Sequence, residues 1–147
     1  MTFAQISATA ILVAFMVGGA AQAANNSATN PLVGSWRLTS LVNKDANGNL
    51  TYPWGAKPVG MFVFGQDGNF AEMIINEEKP NASVDYFGTY SVENGKVLRL
   101  HVVGCSSPQF RGQDIERQIT LSSEQLSYGN TNTSVGGSAS ITWDRVK

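Results

Sequence analysis

From Pro31 onward the chain alternates between apolar and polar positions. Over the predicted strand Leu32 to Val42, Trp36 and Leu38 share one face while Ser35, Arg37 and Thr39 share the other, the period of a half-buried strand. Gly34 within it leaves room for another segment to pass close by. Further strands are predicted at Leu50–Tyr52, Gly60–Phe64, Asn69–Ile75, Val84–Glu93, Lys96–Val103, Asp114–Leu121, Gln125–Tyr128 and Ser138–Val146. Turn residues punctuate them: Asn47-Gly48, Asp67-Gly68 and above all Asn94-Gly95, whose residues tolerate the positive φ of a two-residue hairpin. Pro53 and Pro58 exclude a regular ladder around Trp54, and Gly104–Gly112 and Gly129–Gly137 read as longer loops. No segment after residue 30 keeps a helical period. Eight or nine short strands in this arrangement imply an all-β antiparallel sandwich or barrel, and a barrel is favoured because closure removes sheet edges that would pair with other chains.

The same parity sorts side chains by face. Ile115, Arg117, Ile119 and Leu121 align opposite Asp114, Glu116, Gln118 and Thr120, so an arginine is carried onto an apolar, inward face. A buried unpaired charge costs several kcal/mol, and Glu72, aligned with Phe70 and Ile74, is the available carboxylate. Arg117 and Glu72 either orient the polar head of a ligand or form a structural pair, with the arginine stem buried and its head at the rim. Tyr86, Gly88, Tyr90 and Val92 share a face and add two hydroxyl-bearing cavity candidates. His101 falls with Val97 and Arg99 opposite Leu98, Leu100 and Val102, on the more polar face unless a bulge intervenes; it completes the candidate cavity set. Trp36 and Arg145 are expected to stack as cation and indole, joining the first strand to the last and locking closure.

Composition narrows the possibilities. Residues 1–23 read as a cleavable signal peptide, with Ile11–Val17 as apolar core and Ala21-Gln22-Ala23 as cleavage pattern, although no Lys or Arg precedes the core. Residues 24–30 are a polar lead-in and 31–147 a single domain, with no membrane span in the mature chain; a secreted or periplasmic location follows. The 147 residues carry a formal charge of −1 with both signs scattered, so no electrostatic footprint for nucleic acid exists. Cys105 is the one cysteine, which excludes an internal disulfide and a multi-cysteine metal site, and it is expected to be buried. One histidine without clustered ligands builds no metal site, and no nucleophile elbow or phosphate loop is present. Glycosylation sequons occur at Asn49, Asn81 and Asn132.

Several segments in order resemble a known family: Pro31-Leu32-Val33-Gly34-Ser35-Trp36-Arg37-Leu38, Tyr52-Pro53-Trp54-Gly55 with Pro58-Val59-Gly60, and Phe64-Gly65-Gln66-Asp67-Gly68. Tyr86-Phe87-Gly88-Thr89-Tyr90, His101, the stretch from Phe110 to Arg117, and Thr142-Trp143-Asp144-Arg145 continue it. Together they are similar to the bacterial and fungal lipocalin-like domain family. The resemblance implies a small up-and-down barrel with an internal cavity and carries no agreed catalytic set. Gly34-Ser35-Trp36 also resembles the Gly-x-Trp of lipocalins, on whose tryptophan a late arginine packs; Arg145 is the matching residue, and Gly34, Trp36 and Arg145 are the structural set. Leu100 stands before His101 where relatives often carry a second histidine.

The expected function is an exported protein that binds a small hydrophobic or amphipathic molecule in a barrel cavity, without cofactor or metal. Two alternatives are an isomerase or cyclase acting on a hydrophobic substrate in that cavity, and a ligand-free barrel working in the envelope or in protein–protein contacts.

Overall fold

In a computed structural model, residues 30–79, 82–130 and 137–147 are described. The predicted signal peptide and most of the lead-in lie outside them, as do residues 131–136 and the sequon asparagines Asn81 and Asn132. Among the described residues there are nine strands: β1 (Gly34–Lys44), β2 (Leu50–Thr51), β3 (Val59–Phe64), β4 (Asn69–Ile75), β5 (Val84–Glu93), β6 (Val97–Cys105), β7 (Asp114–Leu121), β8 (Gln125–Asn130) and β9 (Ser138–Arg145). From β3 to β9 each strand pairs antiparallel with its successor, β3 pairs with β1, and β9 returns to β1. Eight strands therefore close a barrel, and β2 is a two-residue addition along the end of β1.

Local chemistry sets the corners. Asn94 (φ 52) and Gly95 (φ 67) turn the β5–β6 hairpin, with the Lys96 amide donating to Glu93 O at 3.0 Å. The Asp67 carboxylate accepts from the Asn69 amide and side chain to fix the β3–β4 turn. β1 starts two residues later than the alternation suggests, because Pro31 and Leu32 lie in a turn and Gly34 takes φ 130 before the extended run. Register shifts occur at Leu38/Ser40 in the β1–β9 pair and at Phe87/Gly88 in the β5–β6 pair. The first moves the inward set from Trp36 and Leu38 to Leu41 and Asn43; the second leaves Val103 exposed and swings half-buried Cys105 toward the core. Its thiol donates to Ser107 O at 2.9 Å, so the cysteine is less enclosed than expected.

Trp36 and Arg145 are register partners across the seam, with the guanidinium carbon 4.1 Å from the indole ring. The indole N–H donates to Leu32 O at 2.8 Å. The arginine donates to Val33 O at 2.9 Å, to Ser123 O at 2.6 Å and to Pro31 O. A Cβ on Gly34 would stand 3.0 Å from that guanidinium, which is why the close approach needs glycine. Above this floor the interior is filled by Trp36, Trp143, Phe62, Phe64, Leu98, Leu100 and Leu126, each under 2% exposed. The Phe62 ring meets Phe64 at 4.1 Å and Trp143 at 5.4 Å, leaving the lower barrel solid.

Candidate functional site

The upper interior is different in kind. Glu72 projects inward from β4 because its strand alternates Phe70, Glu72, Ile74 against Ala71, Met73, Ile75, and it is 1% exposed. Its register partner on β5 is Tyr86. From β8, the Tyr128 hydroxyl donates to Glu72 Oε1 at 2.9 Å. Glu72 Oε2 and the indole N–H of Trp143 have no hydrogen-bond partner among the described residues, although both are buried. Burial pushes the Glu72 carboxyl up, only partly opposed by the Tyr86 and Tyr128 hydroxyls and by Arg117. Burial, and then the adjacent carboxylate, push both tyrosines well above their ordinary range, so neither ionises usefully.

Arg117 reaches this group from β7, as parity requires. Its guanidinium carbon lies 6.0 Å from the centre of the Tyr128 ring, and it donates to Glu116 O at 3.1 Å. No ion pair joins it to Glu72: among the described residues Arg117 has no carboxylate within 4.0 Å. The two charges interact at longer range; Tyr128 gives its hydroxyl to Glu72 and its ring face to Arg117, and the Tyr86 hydroxyl is coupled to both. Arg117, Phe110, Ile115, Gln109, Gln113 and Asn130, together with the outward carboxylates Asp114 and Glu116, border a concavity of about 410 Å³ at the barrel mouth. Phe110 is placed there by the 3-10 turn Pro108–Phe110, and its ring lies 6.2 Å from that of Tyr86.

Two members of the sequence-derived cavity set lie elsewhere. Tyr90 sits at the floor, half-buried, its hydroxyl donating to Gly65 O at 2.9 Å and its ring 4.9 Å from Phe64. His101 is a correction. It points out of the barrel, because the bulge in β6 falls at Val103, after the histidine, and leaves its outward parity intact. There its Nδ1 meets Asp114 Oδ1 at 2.8 Å, beside a surface ladder in which Arg99 pairs with Glu93 at 3.1 Å and Glu116 at 2.7 Å. Sequence reasoning missed Tyr128 and the Trp143 indole N–H; the alternation of Leu126 and Tyr128 against Gln125 and Ser127 was the available signal for the tyrosine. What the arrangement can do is accept a small molecule at the mouth, hold an anionic or polar oxygen at Arg117, and offer below it a buried acid whose carboxyl is pushed up by burial. Among the described residues no helix is long and apolar enough to cross a membrane, and no cluster of metal-ligating side chains occurs.

Residues 33–85, which span β1 to β4 and the start of β5, match the sequence model of the lipocalin-like domain family, so the resemblance read from the sequence holds over that part of the barrel wall. Among solved structures, a lipocalin-like protein from Bacteroides uniformis aligns at 18% identity over 79% of this chain and 99% of its own, with a TM-score of 0.49. A redesigned β-barrel aligns at 16% identity over 82% and 96% of the two chains, TM-score 0.47. Another redesigned barrel, bound to DFHBI, aligns at 18% identity over 80% and 98%, TM-score 0.45. No curated protein matches the chain.

Proposed function

We propose that this chain is an exported binding protein, secreted or periplasmic, that takes a small, partly apolar molecule into the mouth of its barrel and holds the molecule's anionic head at Arg117. The observation that carries the reading is the arginine itself: half-buried on an inward face, against Tyr128, bordering a concavity and without an ion pair among the described residues. Apolar contact with Phe110 and Ile115 would supply affinity at about 25 cal/mol for each Å² removed from water, and the guanidinium would supply orientation. Because the lower barrel is packed, the ligand sits high rather than deep. Acid–base catalysis is the weaker reading. His101 faces solvent and the tyrosines hold their protons, so Glu72 is the one interior acid pushed toward neutrality. The packed lower interior favours a different second reading, in which the barrel acts through its outer surface.

Native mass spectrometry of protein purified from its host, followed by thermal-shift screening of medium-chain carboxylates and their alcohols, tests the proposal. Carboxylates are expected to raise the melting temperature of the parent and not of Arg117→Met. Equal shifts for acids and alcohols, or no ligand in either experiment, would remove Arg117 from the role.

A further inference from the structure

The outer wall of the barrel is not uniformly polar. On β3 and β4, Val59, Met61, Val63, Met73 and Ile75 all face outward and are 36–47% exposed, and Phe87 on β5 extends the field at 55%. They are contiguous through the ladder, because Val59 pairs with Ile75, Met61 with Met73 and Val63 with Ala71, while Ala71 pairs with Phe87. An apolar field continuous across three strands is more than a scatter of single surface residues. The middle row decides what covers it. Reading across the wall, Arg37 on β1 pairs with Met61, Met61 with Met73, and Met73 with Asp85 on β5. All four are exposed. The row therefore runs cation, methionine, methionine, anion.

We propose that this face is a self-complementary interface that pairs two copies of the chain about a two-fold axis lying between them, parallel to the strands and above the β3–β4 seam. With the axis in that direction each residue faces its own cross-strand neighbour's copy. Met61 packs on Met73 of the second copy, and Arg37 of each copy faces Asp85 of the other, twice by symmetry. An axis perpendicular to the strands would instead set arginine on arginine and aspartate on aspartate, so the charge order selects one geometry and opposes the other. Neither Arg37 nor Asp85 makes an ion pair within 4.0 Å among the described residues. Asp144, the neighbour of Arg37 on the β9 side, accepts a hydrogen bond from Gln125 at 3.1 Å. The methionines suit the centre, since flexible thioethers adapt to a convex wall meeting its own copy.

Sedimentation velocity on the purified chain over a concentration series reads the result, with far-UV circular dichroism confirming that each variant is folded. The parent is expected to show a reversible monomer–dimer equilibrium. Arg37→Glu and Asp85→Arg should each weaken it by about tenfold or more, because each places like charges opposite one another. The double variant R37E/D85R restores the order of signs and should return the dissociation constant to near that of the parent. Met73→Lys leaves the flanking charges in place and should abolish the dimer. A parent that stays monomeric throughout the series, or a dimer indifferent to both single charge variants and to Met73→Lys, would overturn the proposal.

Discussion

Removing the Arg145 side chain tests what holds the barrel shut. Arg145→Ala deletes a cation 4.1 Å from the Trp36 ring and the donors to the carbonyls of Val33, Ser123 and Pro31. The cation over the indole contributes about 1 kcal/mol in this half-desolvated setting. Charge-assisted hydrogen bonds contribute about 1.5–3 kcal/mol each when buried; two of these three are exposed, so about 1 kcal/mol apiece is the safer value. Together the loss should be about 3–4 kcal/mol, a large share of the about 5–15 kcal/mol that stabilises an ordinary domain. Arg145→Lys keeps charge over the ring but lacks the planar fork that reaches three carbonyls, and should lose about half as much. Urea unfolding followed by circular dichroism and tryptophan fluorescence gives both numbers. A loss below about 1 kcal/mol for alanine, or a lysine variant equal to the parent, would mean that the seam is held by the β1–β9 ladder alone.

Two further outcomes follow from interior groups. Burial raises the Glu72 carboxyl above its ordinary value of 4.5, so the folded state holds a proton that the unfolded chain has already released. The stability this acid contributes is therefore present in full below pH 4.5 and lost as pH rises through the raised value; its slope cannot exceed about 1.4 kcal/mol per pH unit. Glu72→Gln should flatten that dependence and be at least as stable as the parent at pH 8, and a parent whose stability does not fall in this window would count against the assignment. Gly88→Ala should unfold the domain or force β5 off β6, since a Cβ there would stand 1.8 Å from His101 O at the bulge; circular dichroism of a normally folded alanine variant would refute it.

Alternation made the wall legible where strands are regular. Phe70, Glu72 and Ile74 on β4 and Ile115, Arg117 and Ile119 on β7 have the faces their parity assigns, because one side of each strand must be dry. The register shift after Leu38 was not legible, since alternation alone reads Leu32 to Val42 as one regular strand. Parity could not say which inward residues meet. Glu72 and Arg117 are separated by two intervening strands in the sheet order, and a tyrosine from a third strand, β8, touches both where no direct pair forms. Nor could it say how full the barrel is, since that depends on how two tryptophans and three phenylalanines interlock across the lumen. His101 shows the remaining gap: polar parity placed it outside, while the appeal of a lone histidine drew it into the cavity set.

Tyr128 makes the mouth and the interior one electrostatic unit. Arg117 pulls the Glu72 carboxyl down from where burial alone would put it. An anion seated against the guanidinium would cancel that pull and raise the acid further, so occupancy of the mouth and protonation of Glu72 favour each other. The coupling runs both ways: an anion held at Arg117 would bind more weakly once Glu72 is ionised. Replacing it with glutamine removes the titrating member and leaves the Tyr128 hydroxyl an oxygen to bond. The variant that is flat in stability should for that reason also be flat in anion affinity, because one buried proton governs both.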